Sequence, residues 1–268
     1  MSQAFDGVSP AVDLLIAEIL QFARRVDRLA ATVLTRQRVA RSDDDRLLLY
    51  VLAFRMYRDF QAVNRLANCG LREPAASVLR VLHEQGYVFS ALHADPLAAQ
   101  KLAKQGAGEA RKAFQSLRQL DLGSRPPDLT NEVLDEAVAQ LSETQSWFDA
   151  QFWASKAGML DSYRTIYRNL ARHSHGSINA LDDYVRLDDE GEAVAIGDSI
   201  VRFSIPAYLV TAASLILDAA HVVAGWNTSD ERMEAEFTSL HGELLALSER
   251  SHKALESSHR EDLSKDSA

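Results

Sequence analysis

The sequence predicts an all-α fold, and three observations carry that prediction. Six prolines and twelve glycines in 268 residues are too few for the tight turns of an all-β chain. Apolar residues recur at helical spacing in one segment after another. Hydrophobic residues make up 47% and charged residues 25%, the balance of a chain that buries a core rather than remaining disordered. The expected architecture is one domain of antiparallel helices, a helical bundle, over residues 1–257, with a flexible polar tail over 258–268.

Val12, Leu15, Ile16, Ile19, Leu20, Val26, Leu29, Ala30 and Val33 trace the inner stripe of a long first helix. Ser42 followed by Asp43, Asp44 and Asp45 starts a second, with a capping serine and acids over the positive pole of the dipole. Its pattern runs through Leu48, Val51, Leu52, Phe54 and Val63 to Gly70, a glycine placed for a C-cap. Glu73-Pro74 opens the third helix, which ends near His93; there Asp95-Pro96 begins a fourth. The stretch from Gly123 through Pro126-Pro127 is the clearest break, and it is short enough to be a connection inside one domain. Helices are expected at about 130–142, 144–156 and, after Gly158, 159–175, ending at Gly176-Ser177. Trp147, Phe148, Phe152 and Trp153 suit a packing face. Between Tyr184-Val-Arg-Leu and Ala193-Val-Ala-Ile, the run Asp188-Asp-Glu-Gly-Glu signals a turn and a small β-hairpin near 184–196. Two long helices follow, at about 204–225 and 229–257.

The stretch Phe203–Leu217 is free of charge, yet it is shorter than the ~20 residues a membrane span needs. It reads as a buried core helix. The first residues, Met-Ser-Gln-Ala-Phe-Asp-Gly, hold no basic segment followed by an apolar one, so no signal peptide is expected. One cysteine, Cys69, rules out an intrachain disulfide and a cysteine-based zinc site. These features point to the cytoplasm, with no membrane association. The net charge of −9 disfavours broad coating of nucleic acid. That charge is uneven. Residues 182–192 hold six acids and one arginine, residues 229–268 hold ten acids and five bases, and each segment nets −5. Residues 153–175 net +3, so one phosphate-sized positive spot remains available there.

The densest chemistry lies between Tyr163 and Ser177. On a regular helix with Tyr163 at 0°, Ile166, Leu170, Ser174 and Tyr167 fall at about 300°, 340°, 20° and 40°, a packing stripe. Arg164, His175 and Arg168 share one flank of that stripe; Asn169 and His173 share the other. An arginine beside a histidine at a helix end can fix a phosphate and move a proton near neutral pH without a metal. The plainer alternative is that His175 and Gly176 end the helix, with the imidazolium over its negative pole. A second constellation is Arg80, Glu84 and Tyr87, spaced i, i+4, i+7 among Val78, Val81, Leu82 and Val88. Either this is a surface ion pair, or it lies beside the core and needs partners, the natural one being the Arg168/His175 helix. His173 and His175 diverge by about 200° on a helix, so no metal site is expected, and no cofactor. Gly106 and Gly108 lack the strand and lysine of a phosphate loop, and Ser174 and Ser177 lack a nucleophile elbow.

The order Ala76-Ser-Val-Leu-Arg80-Val-Leu-His-Glu84, then Asp95-Pro96, then Lys156-Ala-Gly158, Tyr163, Tyr167, Leu170, His175, Gly176 and Ser177 resembles a bacterial, all-helical family of unknown function. Its pattern is R-x-x-x-E in an early helix and Y-x-x-L-S-x-x-x-H in a later one. The resemblance spans about residues 45–225 and departs at Ala171, where the pattern has serine. It implies no activity. Separately, Arg168-Asn169 followed by His173 or His175 is similar to the signature of HEPN domains, helical bundles that include metal-independent ribonucleases of toxin–antitoxin and phage-defence systems. Carried over, that likeness implies that Arg168 holds a phosphate, His175 or His173 handles the proton and Asn169 orients one of them. It further implies a homodimer, RNA at a local site, and an antitoxin or other partner protein. Against this stands a non-enzymatic helical module that binds a partner protein or a small anionic ligand, with Arg80, Glu84, Tyr167 and Arg164 as supporting or ligand-binding residues.

Overall fold

The computed structural model of the protein describes residues 10–95, 97–121, 124–141, 148–174, 185–187, 193–196, 204–226 and 230–265. Its elements are α1 (Pro10–Arg36), α2 (Asp44–Asn68), α3 (Arg72–Ala94), α4 (Ala98–Arg118), α5 (Asn131–Gln140), α6 (Ala150–Lys156), α7 (Leu160–Ser162), a π turn (Tyr163–Tyr167) and α8 (Arg168–Ser174). After these come β1 (Val185–Leu187), β2 (Ala193–Ile196), α9 (Ser204–Ala224) and α10 (Glu231–Lys265). The fold is all-α and bundle-like, as the periodicity predicts. The expected hairpin is present as an antiparallel β1–β2 pair, Val185 opposite Ile196, with an irregularity after Arg186.

The apolar stripe read from α1 is the one the protein buries: Leu15, Ile19, Val26, Leu29, Ala30 and Val33 all belong to the core. At the head of α2 the cap is Asp43, one residue later than expected, because its Oδ1 accepts the Arg46 N–H at 3.2 Å. At the other end Gly70 adopts φ +75°. The Leu71 N–H then reaches the Leu66 carbonyl at 2.9 Å and the Gly70 N–H reaches Ala67 at 3.0 Å, a Schellman motif that only glycine takes without strain. This reverses the chain so that α3 runs back along α2.

The span Ile205–Ala224 is long and apolar enough by length and composition to cross a membrane, but most of it is buried inside the fold. It packs on α1, α2, α3 and α10, and is the central helix of the core. The approach to α3 is tight: a Cβ added at Gly86 would lie 2.9 Å from Leu215 Cδ2. Each fully buried leucine or phenylalanine here contributes about 1.5–3 kcal/mol of transfer free energy. Polar clasps tie α1 to its neighbours α2 and α10. Tyr50 OH donates to the Leu34 carbonyl at 2.6 Å, and Arg250 grips both oxygens of Glu18 at 2.7 Å.

Three boundaries differ from the sequence expectation. The helix expected over 144–156 starts at Ala150, because Asp149 Oδ1 accepts the Phe152 N–H at 2.8 Å and caps it there; residues 142–147, Trp147 included, lie outside the described residues. The last helix stays helical to Lys265, in a stretch with neither glycine nor proline to stop it. The helix expected over 159–175 is not regular but contains the π turn, in which the Arg168 N–H bonds back to Tyr163, five residues earlier. The inserted residue rotates one half of the segment against the other. Leu170 is accordingly buried as expected, whereas Ile166, placed on the same stripe by a regular wheel, is 37% exposed.

Candidate functional site

The site forms where α3 meets the segment from α6 to α8. Gly158, at φ +70°, ends α6 in a second Schellman motif, with the Met159 N–H on the Ala154 carbonyl at 2.8 Å. The chain turns sharply there, and the π turn brings Tyr163 and Tyr167 to the same side. Their rings stack at 5.2 Å, and the edge of Tyr87 meets Tyr167 at 6.1 Å. Tyr87 OH also lies 3.3 Å from Ser162 Oγ.

Helical spacing puts Arg80 and Glu84 on one face of α3. Arg80 Nη2 donates to Glu84 Oε1 at 3.1 Å, and Tyr167 OH donates to the same oxygen at 2.5 Å. Arg80 Nε donates to Tyr167 OH at 3.3 Å, closing a triangle, while its guanidinium lies 5.6 Å from the Tyr167 ring centre. The side chains of Arg80 and Glu84 are 25% and 38% exposed, so the cluster is neither sealed in the core nor a free surface pair. Burial, followed by the hydrogen bond to Glu84, pushes the Tyr167 phenol up to about 12. Tyr87 is raised as well, chiefly by burial. At neutral pH Tyr167 is therefore a fixed donor and no general base.

The triangle stands in the wall of an open groove of about 680 Å³. Leu48, Val51, Leu52, Val81 and Val88 give that groove an apolar floor, and Phe148 and Trp153 an aromatic side. Trp153 Nε1 donates to Gln105 Oε1 at 3.1 Å, and its ring meets Phe152 edge-on at 5.2 Å. Arg55 enters from α2 and has no ion-pair partner among the described residues. Glu109 and Asp149 also line the groove, Asp149 being held as the cap of α6.

Of the residues singled out in the sequence, the structure brings Arg80, Glu84 and Tyr167 together. The segment expected to partner the Arg80–Glu84 pair does so, through Tyr167. Arg164 points to solvent beside Asp161, at 3.8 Å, and Arg168 and Asn169 are exposed, away from the groove lining. His173 lies on α8, with its side chain outside what is described; His175 lies outside the described residues. No group of three or more potential metal ligands occurs among the described residues. Sequence reasoning missed Arg55, Gln105 and Trp153 as parts of one wall. Nothing in their local spacing links three helices, and only the packing of α2, α4 and α6 around α3 does so.

One further residue sits just beneath this wall. His83, next to Glu84 in sequence, is 1% exposed, and neither ring nitrogen meets a polar partner among the described residues. Its ring lies 5.7 Å from that of Tyr87. Burial lowers its pKa to about 4, so it is neutral at physiological pH.

No curated protein and no solved structure matches the chain. A family profile matches residues 46–193, from the start of α2 to β2, and so takes in α3, the π turn and the whole groove wall. It ends earlier than the 225 expected from the motifs, leaving both long C-terminal helices outside. With just over half of its length matched, the chain belongs to a family of unknown function, DUF5677.

Proposed function

We propose that this protein is a helical binding module whose groove takes a small ligand with an acidic group and an apolar body. The observation that carries this reading is the Arg80–Glu84–Tyr167 triangle, set in the wall of a 680 Å³ groove that Phe148 and Trp153 also line. Arg80 keeps donors beyond the two it gives to Glu84 and Tyr167, and Arg55 has no acid partner among the described residues, so the two guanidiniums can receive an anion. The apolar floor and Trp153 suit the rest of such a ligand. The phenol stays protonated up to about 12 and the arginine stays charged, so this wall binds and orients rather than shuttling protons. The aromatic anion 8-anilinonaphthalene-1-sulfonate is a direct probe. Saturable fluorescence that weakens severalfold in Arg55→Gln and Arg80→Gln supports the groove; a signal in both variants equal to that of the wild type removes it.

A second reading is a HEPN-like ribonuclease, and the observation in its favour is Arg168. It is exposed on α8 with no ion-pair partner among the described residues, and the exposed Asn169 follows it. On this reading Arg168 fixes the phosphate and His175 or His173 moves the proton. The partners are then RNA and an antitoxin or other protein, and the working unit is a homodimer in the cytoplasm. Incubation with single-stranded RNA tests it: cleavage lost in Arg168→Ala and His175→Ala, with unchanged melting, supports the activity, and intact RNA rejects it.

A further inference from the structure

A second concavity lies between α1 and the start of α10, with a volume of about 360 Å³. Arg25, Arg28 and Arg36 of α1 and Arg232 of α10 line it, against the acids Asp230 and Glu236, a lining charge of four minus two, or +2. This is unusual placement in a chain with 38 acids, 29 Lys and Arg residues and a net charge of −9. Arg25 is tied to Glu243. The guanidiniums of Arg28, Arg36 and Arg232 have no acid partner among the described residues. Asp230 uses Oδ1 to accept the Arg232 N–H at 3.1 Å, which caps the first turn of α10. Glu236 is the one remaining acid in the lining, and it is exposed.

Helix geometry focuses these charges. Arg28, Thr32 and Arg36 are spaced i, i+4, i+8, so the two arginines stand about 6 Å above and below Thr32 and within about 40° of it around the axis. Thr32 turns its hydroxyl back onto the Arg28 carbonyl at 2.8 Å. A short side chain therefore forms the floor between two long cations. Arg232 closes the hollow from α10. Like charges gathered this way repel one another unless an anion joins them, and planar guanidiniums match phosphate oxygens in pairs.

We propose that the crevice over Thr32 binds a phosphate group, with Arg28, Arg36 and Arg232 as its ligands. The chemistry is that of a phosphomonoester or diphosphate on a small molecule, or of a phosphodiester in RNA. The crevice shares no residue with the Arg80 groove, so each stands or falls alone. Calorimetric titration of the full chain with inorganic pyrophosphate at low ionic strength tests the site. Saturable binding is expected, weakened about tenfold by Arg36→Gln and by Arg232→Gln, the loss of one charge-assisted contact each. Arg118→Gln, which removes an exposed arginine paired elsewhere with Asp135, should bind as the wild type does. Single-stranded RNA separates the two sources. If it displaces pyrophosphate with the same arginine dependence, the phosphate comes from RNA; if pyrophosphate binds and RNA does not compete, the ligand is a small phosphorylated molecule. Failure to bind pyrophosphate, or binding by both crevice variants as tight as that of the wild type, overturns the proposal.

Discussion

His83 and Glu84 are neighbours on one turn of α3, and the fold treats them in opposite ways. The acid is 38% exposed and has two hydrogen-bond donors on one oxygen. The imidazole is 1% exposed, with no polar partner for either nitrogen among the described residues. A 100° step around the helix separates a face that looks into the groove from one turned into the core. A charged group is retained where it can be both solvated and paired, whereas a titratable group placed in the core is kept neutral. The same helix thus carries a polar site on one side and helps close the core on the other.

The largest expected effect comes from the buried member. Below about pH 6.5 an unfolded chain takes a proton on His83 that the folded chain refuses until about pH 4. Stability therefore falls as pH is lowered through that window and levels off below it. A gap of that size is worth about 3 kcal/mol across the window, at about 1.4 kcal/mol per pH unit. Other groups titrate over the same range, so the useful quantity is the difference from His83→Leu in urea unfolding. The variant should lose markedly less stability between pH 6.5 and pH 4, and at pH 7 it should be close to wild type, because two unpaired polar atoms leave the core. Identical pH slopes would show that His83 finds a polar partner when protonated.

The exposed member should cost less. Glu84→Ala strips Arg80 and Tyr167 of their shared acceptor, but both can turn to water, so the loss is discounted to about 1–2 kcal/mol. Tyr167→Phe keeps the stacked and edge-on rings and removes only the hydroxyl, for about 1 kcal/mol. The double variant should lose less than the sum, because the two groups share one hydrogen-bond network. Strict additivity in thermal unfolding would mean that the triangle is a set of separate contacts. It would also weaken the case for a preformed anion-binding wall.

How far this contrast could be read from the sequence depends on the reach of each signal. The periodicity of α1, the apolar run of α9 and the glycine ending α2 act within a few turns, and all three are where the sequence places them. Arg80 and Glu84 were visible because i, i+4 spacing is local. Their closure onto Tyr167 needs a segment eighty residues away, and that segment departs from a regular wheel through a π turn, which leaves no mark in composition or spacing. Ile166 shows the cost, since a regular helix would bury it. Asp149 capped a helix six residues later than the pattern suggested because Asp, Ser and Thr can all cap, and tertiary packing selects among them. Arg55, Trp153 and the arginine crevice lie at junctions of helices distant in sequence. No local pattern announces such a junction, although the i, i+8 spacing of Arg28 and Arg36 was open to view.

The smallest stability effect belongs to those arginines, and its smallness is informative. Arg28→Gln and Arg36→Gln remove exposed charges that have no acid partner among the described residues, so neither should lose more than about 0.5 kcal/mol. A slight gain is the expected sign at low salt, since like charges move apart, and it should fade as salt screens them. Glu84→Ala, in contrast, should destabilise at every salt concentration, because its loss is mainly of hydrogen bonds. Urea unfolding of the three variants at low and high salt separates the two cases. If Arg36→Gln destabilised the fold as much as Glu84→Ala does, the crevice arginines would be structural, and their crowding would need no ligand. If it leaves the fold untouched, their repulsion is carried by the folded state without return in stability, as expected of residues kept for an anion they bind.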